Sequence, residues 1–387
     1  MTKVSAGMWR GVVLAVVVGL VAAGCATRSS TKTRASSTTV VLSSEGLPIG
    51  SGNFEGYGLR IYKVESGLYP FVQVYFRTFD QRMQPLVNLN YSNIGVMVQG
   101  RPFDPTKKQY MIQTLRNMGQ AVRTVVVLDC STSMLVDRFA RAREAVARFC
   151  DSKRPQDQVA IIAVRGPSGF EIVSNWERDA AALGRRLADV QCDALTTRLY
   201  DAVGAAMQMC GSVSQGGAVS SEAEYIISNS IVVLSDGEDD GSALTRGDLM
   251  GRISGLPVPL PIYSLAYSGN PNSYLNLEAL SKNSFGAYYS IWEHVEYLQR
   301  CIENIQYIQQ NDYVITLRSP IAVDGMPHAV KIGIEYPSGT GKFTYQGAQF
   351  EAVSLPISNA ILDETRNKLN AALPVLPAGV SPYLPGA

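Results

Sequence analysis

Residues 124–134 read TVVVLDCSTSM. Val125 to Leu128 are apolar β-formers in unbroken succession, with no polar face. That is the pattern of a parallel strand covered on both sides in an α/β layer fold. The strand runs straight into Asp129, Ser131 and Ser133. Three oxygen-bearing side chains, two residues apart and just past a buried strand, stand where open α/β sheets bind their ligands.

Outward from this stretch the α/β pattern continues. Val136, Phe139, Val146 and Phe149 repeat with helical spacing. Further strands are expected at 158–164 (QVAIIAV), 170–176, 231–236 (IVVLSD), 261–267 and 287–291, and helices near 179–190, 199–210, 273–282 and 293–310. The alternation predicts an α/β fold with a doubly wound, mostly parallel, Rossmann-like sheet over residues 122–310. Asp236, like Asp129, follows the C-terminal end of an apolar strand.

Carboxylate and hydroxyl oxygens are hard ligands, suited to Mg²⁺ or Mn²⁺ rather than to zinc or copper. D-x-S-x-S alone is a weak signal. It gains weight from LTTRLYDAV (195–203) and IVVLSDGEDD (231–240). Together the three segments resemble the metal-ion-dependent adhesion site (MIDAS) of von Willebrand factor type A (VWA) domains. The resemblance implies Asp129, Ser131, Ser133, Thr197 and Asp236 as metal ligands, with Thr196 competing with Thr197. It also implies Mg²⁺ (or Mn²⁺) with an open position, filled by an Asp or Glu carboxylate of a protein partner. Thr132 and Leu195–Thr196 stand where that family commonly has glycines. Glu238, Asp239 and Asp240 are expected to rim the site.

Other chemistries lack their residues. The 387-residue chain has two histidines, His294 and His328, far apart, which argues against a His-rich zinc site or a Ser/His/Asp triad. No H-E-x-x-H occurs, and Ser131 stands where a haloacid-dehalogenase-type phosphatase needs its second Asp. DGEDDGSALTRG (236–247) fails as an EF-hand, because Gly247 takes the place of the bidentate Glu. RGD (246–248) is too short to weigh and is expected at a helix start. A formal charge of +1, without a basic run interleaved with aromatics, gives no footprint for nucleic acid.

The N-terminus reads as a targeting segment, with Lys3 and Arg10 before an apolar run, 11–23, too short to span a bilayer. It ends in VAAGC, which resembles a bacterial lipobox and implies cleavage after residue 24 and lipidation of Cys25. Loss of residues 1–24 removes two basic residues and no acid, leaving the remainder at −1. Residues 25–44, rich in Ser and Thr, read as a linker. Export implies an oxidising compartment. Cys130, Cys150, Cys192, Cys210 and Cys301 are odd in number, so two disulfides with one free thiol, or none at all, are both open.

Around the α/β block, residues 45–121 offer four short strands with alternation and residues 311–352 three more. Seven is the count of an immunoglobulin-like (Ig-like) sandwich, so a small all-β domain assembled from both flanks is expected. Residues 353–387 are expected to form a Pro-rich tail. The whole reads as a non-enzymatic, membrane-anchored lipoprotein of the bacterial cell envelope, in the outer membrane or periplasm, binding a protein through its metal. The alternatives are an envelope-biogenesis scaffold that uses the fold without metal, or a metal-dependent hydrolase.

Overall fold

The computed structural model describes residues 56–107, 109–134, 136–211, 226–256, 259–267, 270–292, 294–340 and 343–371. The expected signal peptide, Cys25, the linker and the tail from 372 onward lie outside the described residues. In chain order come β1 (Tyr57–Leu68), β2 (Phe71–Asp80), β3 (Ile94–Val98), β4 (Arg101–Pro102) and β5 (Tyr110–Thr114). The α/β region follows: β6 (Ala121–Asp129), α1 (Val136–Ser152), β7 (Gln158–Val164), β8 (Glu171–Glu177), α2 (Ala180–Ala188), α3 (Leu199–Gly211), β9 (Ile226–Ser235), α4 (Arg246–Ser254), β10 (Ile262–Ala266), α5 (Tyr274–Asn283), β11 (Tyr288–Ser290) and α6 (Leu298–Gln310). The chain closes with β12 (Tyr313–Arg318), β13 (Pro327–Glu335), β14 (Phe343–Glu351) and α7 (Asn359–Ala371).

The α/β sheet has the order β11-β10-β9-β6-β7-β8. Neighbours are parallel except β8, which runs antiparallel to β7. The unbroken apolar run of β6 serves both faces. Val125 and Val127 join Leu199, Val203, Leu249 and Leu277 from α3, α4 and α5 in one cluster. Val126 and Leu128 join Phe139, Val146, Leu183 and Ile305 from α1, α2 and α6 in the other. From β6 the chain builds outward through β7 and β8, then crosses back to β9 and builds outward the other way. The direction therefore reverses between β6 and β9, the position at which such sheets open a crevice beyond their strand ends. Asp129 closes β6 and Asp236 follows β9.

The flanks form two four-stranded antiparallel sheets, β1-β2-β12-β5 and β14-β13-β3-β4. Each mixes strands from both sides of the α/β region. Ile315 of β12 stands between Val74 of β2 and Ile112 of β5, and Ile332 of β13 opposes Val96 of β3. Val74, Val96, Ile315 and Ile332 share one buried cluster, so the two sheets are held over a common core. The described strands number eight where the Ig-like reading expected seven; the addition is β4, whose two residues are too few to show alternation.

Exit from and return to these sheets are adjacent, with Leu115 N donating to Asp312 O at 2.9 Å. There the buried Arg77 of β2 grips both Asp312 carboxylate oxygens at 2.8 Å and donates to the Tyr263 hydroxyl of β10 at 2.7 Å. One guanidinium thus links the antiparallel sheet to the α/β sheet. Residues 359–371, inside the expected tail, are helical instead. α7 contains no proline, and its Leu369 is buried with Phe71 and Met111.

Candidate metal centre

Asp129 is fully buried at the end of β6. Its Oδ1 accepts from Ser131 N at 2.9 Å, an Asx-type turn that swings the following residues back over the strand end. Its Oδ2 accepts from the Ser235 hydroxyl at 2.7 Å. The Ser131 and Ser133 hydroxyls stand 2.8 Å apart, and Ser133 Oγ donates to Asp236 Oδ2 at 2.6 Å. Asp236, also fully buried, takes a second bond at Oδ1 from Glu238 N at 3.0 Å. Asp129, Ser131, Ser133 and Asp236 are therefore joined in one hydrogen-bonded chain across the reversal point between β6 and β9.

Thr197 enters through the loop before α3. Ala194 N donates to Cys130 O at 3.0 Å and Thr132 N to Ala194 O at 2.9 Å, so this loop pairs with the D-x-S-x-S turn. Asp240 N donates to Thr197 O at 2.9 Å, and Thr197 N donates back to the Asp240 carboxylate. Thr197 is buried and Thr196 exposed. The Thr197 hydroxyl makes no hydrogen bond among the described residues.

Two of the three acids expected on the rim have other partners. Asp239 accepts from Tyr200 N at 3.0 Å and from the Ser242 hydroxyl, and Asp240 accepts from Thr197 N. Both carboxylates brace the loop before α3 and the first turn of that helix. Glu238 is half-buried, its amide engaged by Asp236.

Burial, and secondarily the neighbouring Asp236 charge, pushes the Asp129 carboxyl up to about 6. The bonds from Ser235 and Ser131 pull the other way and do not offset it. Among the described residues neither Asp129 nor Asp236 has an ion pair; their partners are neutral hydroxyls and amides. Two buried carboxylates side by side, with neutral hydroxyls around them, fit a hard dication. No group of three or more His, Cys, Asp and Glu side chains suited to a metal stands together among the described residues. The Ser131 and Ser133 hydroxyls add two neutral oxygens beside the two carboxylates.

Two neighbours were missed in the sequence. Ser235 lies inside the apolar run before Asp236, where a lone serine reads as strand. Tyr267, one residue past β10, has a fully buried hydroxyl without a partner among the described residues. Burial first, then the charge of Asp129, drives its ionisation well above the usual range. Gly237 is held at φ +82°, and a Cβ there would lie 2.4 Å from Ser273 O; Asn276 Nδ2 donates to its carbonyl at 2.8 Å. The start of α5 therefore abuts the Asp236 loop. Cys130, Cys150, Cys192, Cys210 and Cys301 are all free thiols, and Cys192 Sγ donates to Ser131 O at 3.0 Å.

Residues 124–238 match the family model of the von Willebrand factor type A domain. None of the curated proteins matches the sequence. Among solved structures, BatB from Bacteroides thetaiotaomicron is similar at 14% identity and a TM-score of 0.37, over 49% of this chain and 100% of that one. The vWF domain of the type V pili tip protein Mfa5 from Porphyromonas gingivalis is similar at 12% identity and 0.36, over 49% and 95%. Proximal thread matrix protein 1 from the mussel byssus, solved with a zinc-occupied MIDAS motif, is similar at 10% identity and 0.39, over 54% and 50%.

Proposed function

We propose that the von Willebrand factor type A domain of this chain is a non-catalytic binding module that recognises a protein partner through Mg²⁺ or Mn²⁺. The observation that carries this reading is the pair of buried carboxylates, Asp129 and Asp236, bridged by serine hydroxyls and lacking any ion pair among the described residues. A protein that buries two adjacent carboxylates without a counter-charge loses solvation energy twice, and a dication restores it.

In this reading Asp129, Ser131, Ser133, Thr197 and Asp236 hold the ion. The metal supplies a Lewis-acidic point that takes an Asp or Glu carboxylate from the partner. Ser235 keeps the Asp129 carboxylate oriented, and Asp240 keeps Thr197 turned inward. The Arg77–Asp312 pair makes the antiparallel sheets a fixed base for the domain. The same reading has Cys25 lipidated and the protein displayed from the bacterial envelope; radiolabelled palmitate incorporation, lost in Cys25→Ser, tests that part separately.

The test of the site is isothermal calorimetry with MgCl₂ and MnCl₂ on the wild type and on Asp129→Asn, with thermal melts to show that both are folded. Saturable binding in the wild type alone is expected. A folded wild type that binds neither ion would overturn the metal reading and leave a scaffold that uses the fold without metal.

A further inference from the structure

The three most exposed large hydrophobic side chains among the described residues are Leu195 (87%), Val136 (75%) and Leu275 (62%). They come from three separate segments, and each segment ends on the candidate metal site. Leu195 follows Ala194, which pairs with Ser131, and precedes Thr196 and Thr197. Val136 opens α1, three residues after Ser133. Leu275 lies in the first turn of α5, between Ser273, which abuts Gly237, and Asn276, which bonds the Gly237 carbonyl. Scattered single apolar residues on a surface need no explanation. The three most exposed ones, each on a segment that adjoins the candidate site, do, because an apolar patch rimmed by polar groups marks an interaction site.

The Asp239 and Asp240 carboxylates are held against the start of α3 by Tyr200 N, Ser242 and Thr197 N, and keep their charge there. Arg198, next to Thr197 and half-buried, has no hydrogen bond or ion pair among the described residues. Its side chain packs against Gly169, in the loop between β7 and β8, and reaches Gly241.

We propose that Leu195, Val136 and Leu275 form an apolar collar around the metal, and that the partner presents one carboxylate centred in an apolar patch. This rests on the metal-dependent binding proposed above and specifies its partner chemistry. A collar of this kind excludes water from the metal–carboxylate bond, which strengthens it, and contributes apolar burial of its own. It also sets specificity, since a carboxylate flanked by hydrated side chains would leave the collar wet.

The test uses the full chain, with Mn²⁺, and three fluorescent peptides: a central Asp flanked by Leu and Phe, the same Asp flanked by Ser, and the Leu/Phe peptide with Asn for Asp. Fluorescence anisotropy is expected to give at least tenfold tighter binding for the first than the second, and no Mn²⁺-dependent binding for the third. In Leu195→Ser/Val136→Ser/Leu275→Ser the advantage of the first peptide is expected to vanish while calorimetric Mn²⁺ binding stays as in the wild type. Equal affinity for the Leu/Phe and Ser peptides in the wild type, or an unchanged preference in the triple variant, would overturn the collar and leave the metal site standing. Apolar preference that survives chelation would also overturn it, since the carboxylate would then not be its centre. Absence of Mn²⁺ binding in the wild type is the separate failure of the metal reading itself.

Discussion

Ser133 Oγ donates to Asp236 Oδ2 at 2.6 Å, joining two residues 103 positions apart in the chain. With Ser131 beside it, this bond connects the end of β6 to the end of β9 across the point where the sheet reverses direction. Neither residue is within the other's local segment, so the bond reports on the closure of the whole site. Ser133→Ala removes one of the proposed metal ligands and leaves Asp236 with one donor, Glu238 N. The expected result is at least about a tenfold loss of Mg²⁺ affinity by calorimetry. Asp236→Asn halves the neutralising charge and is expected to abolish saturable binding. A Ser133→Ala protein with wild-type affinity would remove Ser133 from the ligand set.

The two carboxylates also predict a pH dependence. Without metal, the folded Asp129 carboxyl titrates at about 6, above the ordinary carboxylate value of about 3.9. Its ionisable neighbours are Asp236, Cys130, Cys192 and Tyr267, none of them cationic. Between the two values the folded protein keeps a proton that the unfolded chain has released. Stability in EDTA should therefore fall as the pH rises from about 4 to about 6, by roughly 3 kcal/mol from this group, and flatten above. Metal needs the ionised carboxylate, so its apparent affinity should fall by up to about tenfold per unit below pH 6. Urea titrations in EDTA and calorimetry at pH 4.5, 5.5 and 7 read both effects. A stability curve that rises with pH over this interval would show that other groups outweigh Asp129.

Gly237 is the backbone counterpart of these side chains. At φ +82° a residue with a Cβ is strained by about 1–3 kcal/mol, and here the Cβ would also meet Ser273 O at 2.4 Å. Gly237→Ala should push the start of α5 away from the Asp236 loop. Expected are a lower melting temperature and weaker metal binding together, because Asp236 and Glu238 flank the displaced residue. A variant that melts lower but keeps wild-type metal affinity would mean the loop absorbs the strain without moving Asp236.

The D-x-S-x-S turn, the Asp236 position and the strand-by-strand course of the α/β sheet were legible because each depends on local pattern. β6 shows its burial as four apolar residues, and α4 starts at Arg246, where RGD was read as a helix start, capped by Thr245. The two antiparallel sheets were legible as alternating strands on both flanks, although β4 was too short to register. What escaped depends on contacts between distant segments. Ser235 and Tyr267 look like strand residues until the neighbouring strand places Asp129 beside them. Asp239 and Asp240 look like a solvated acidic loop until Tyr200 N and Thr197 N reach them from the start of α3. Arg77 and Asp312 carried no signal at all, being 235 residues apart.

That last pair gives a prediction independent of the metal. Arg77 and Asp312 are both buried and bound through two 2.8 Å hydrogen bonds, with Tyr263 as the third partner of the guanidinium. Removing one member leaves a buried charge without compensation, a loss of about 3–5 kcal/mol. Arg77→Leu and Asp312→Asn should each melt well below the wild type. Removing both leaves no unpaired charge, only the Tyr263 hydroxyl without its donor, so Arg77→Leu/Asp312→Leu should recover much of that loss. Tyr263 lies near the start of β10, while the candidate metal site lies beyond the strand ends, so the double variant should bind Mg²⁺ as the wild type does. Additive destabilisation in the double variant would show that the pair holds the sheets together by more than mutual neutralisation. Weakened Mg²⁺ binding in a well-folded double variant would show that the antiparallel sheets reach the site through β10.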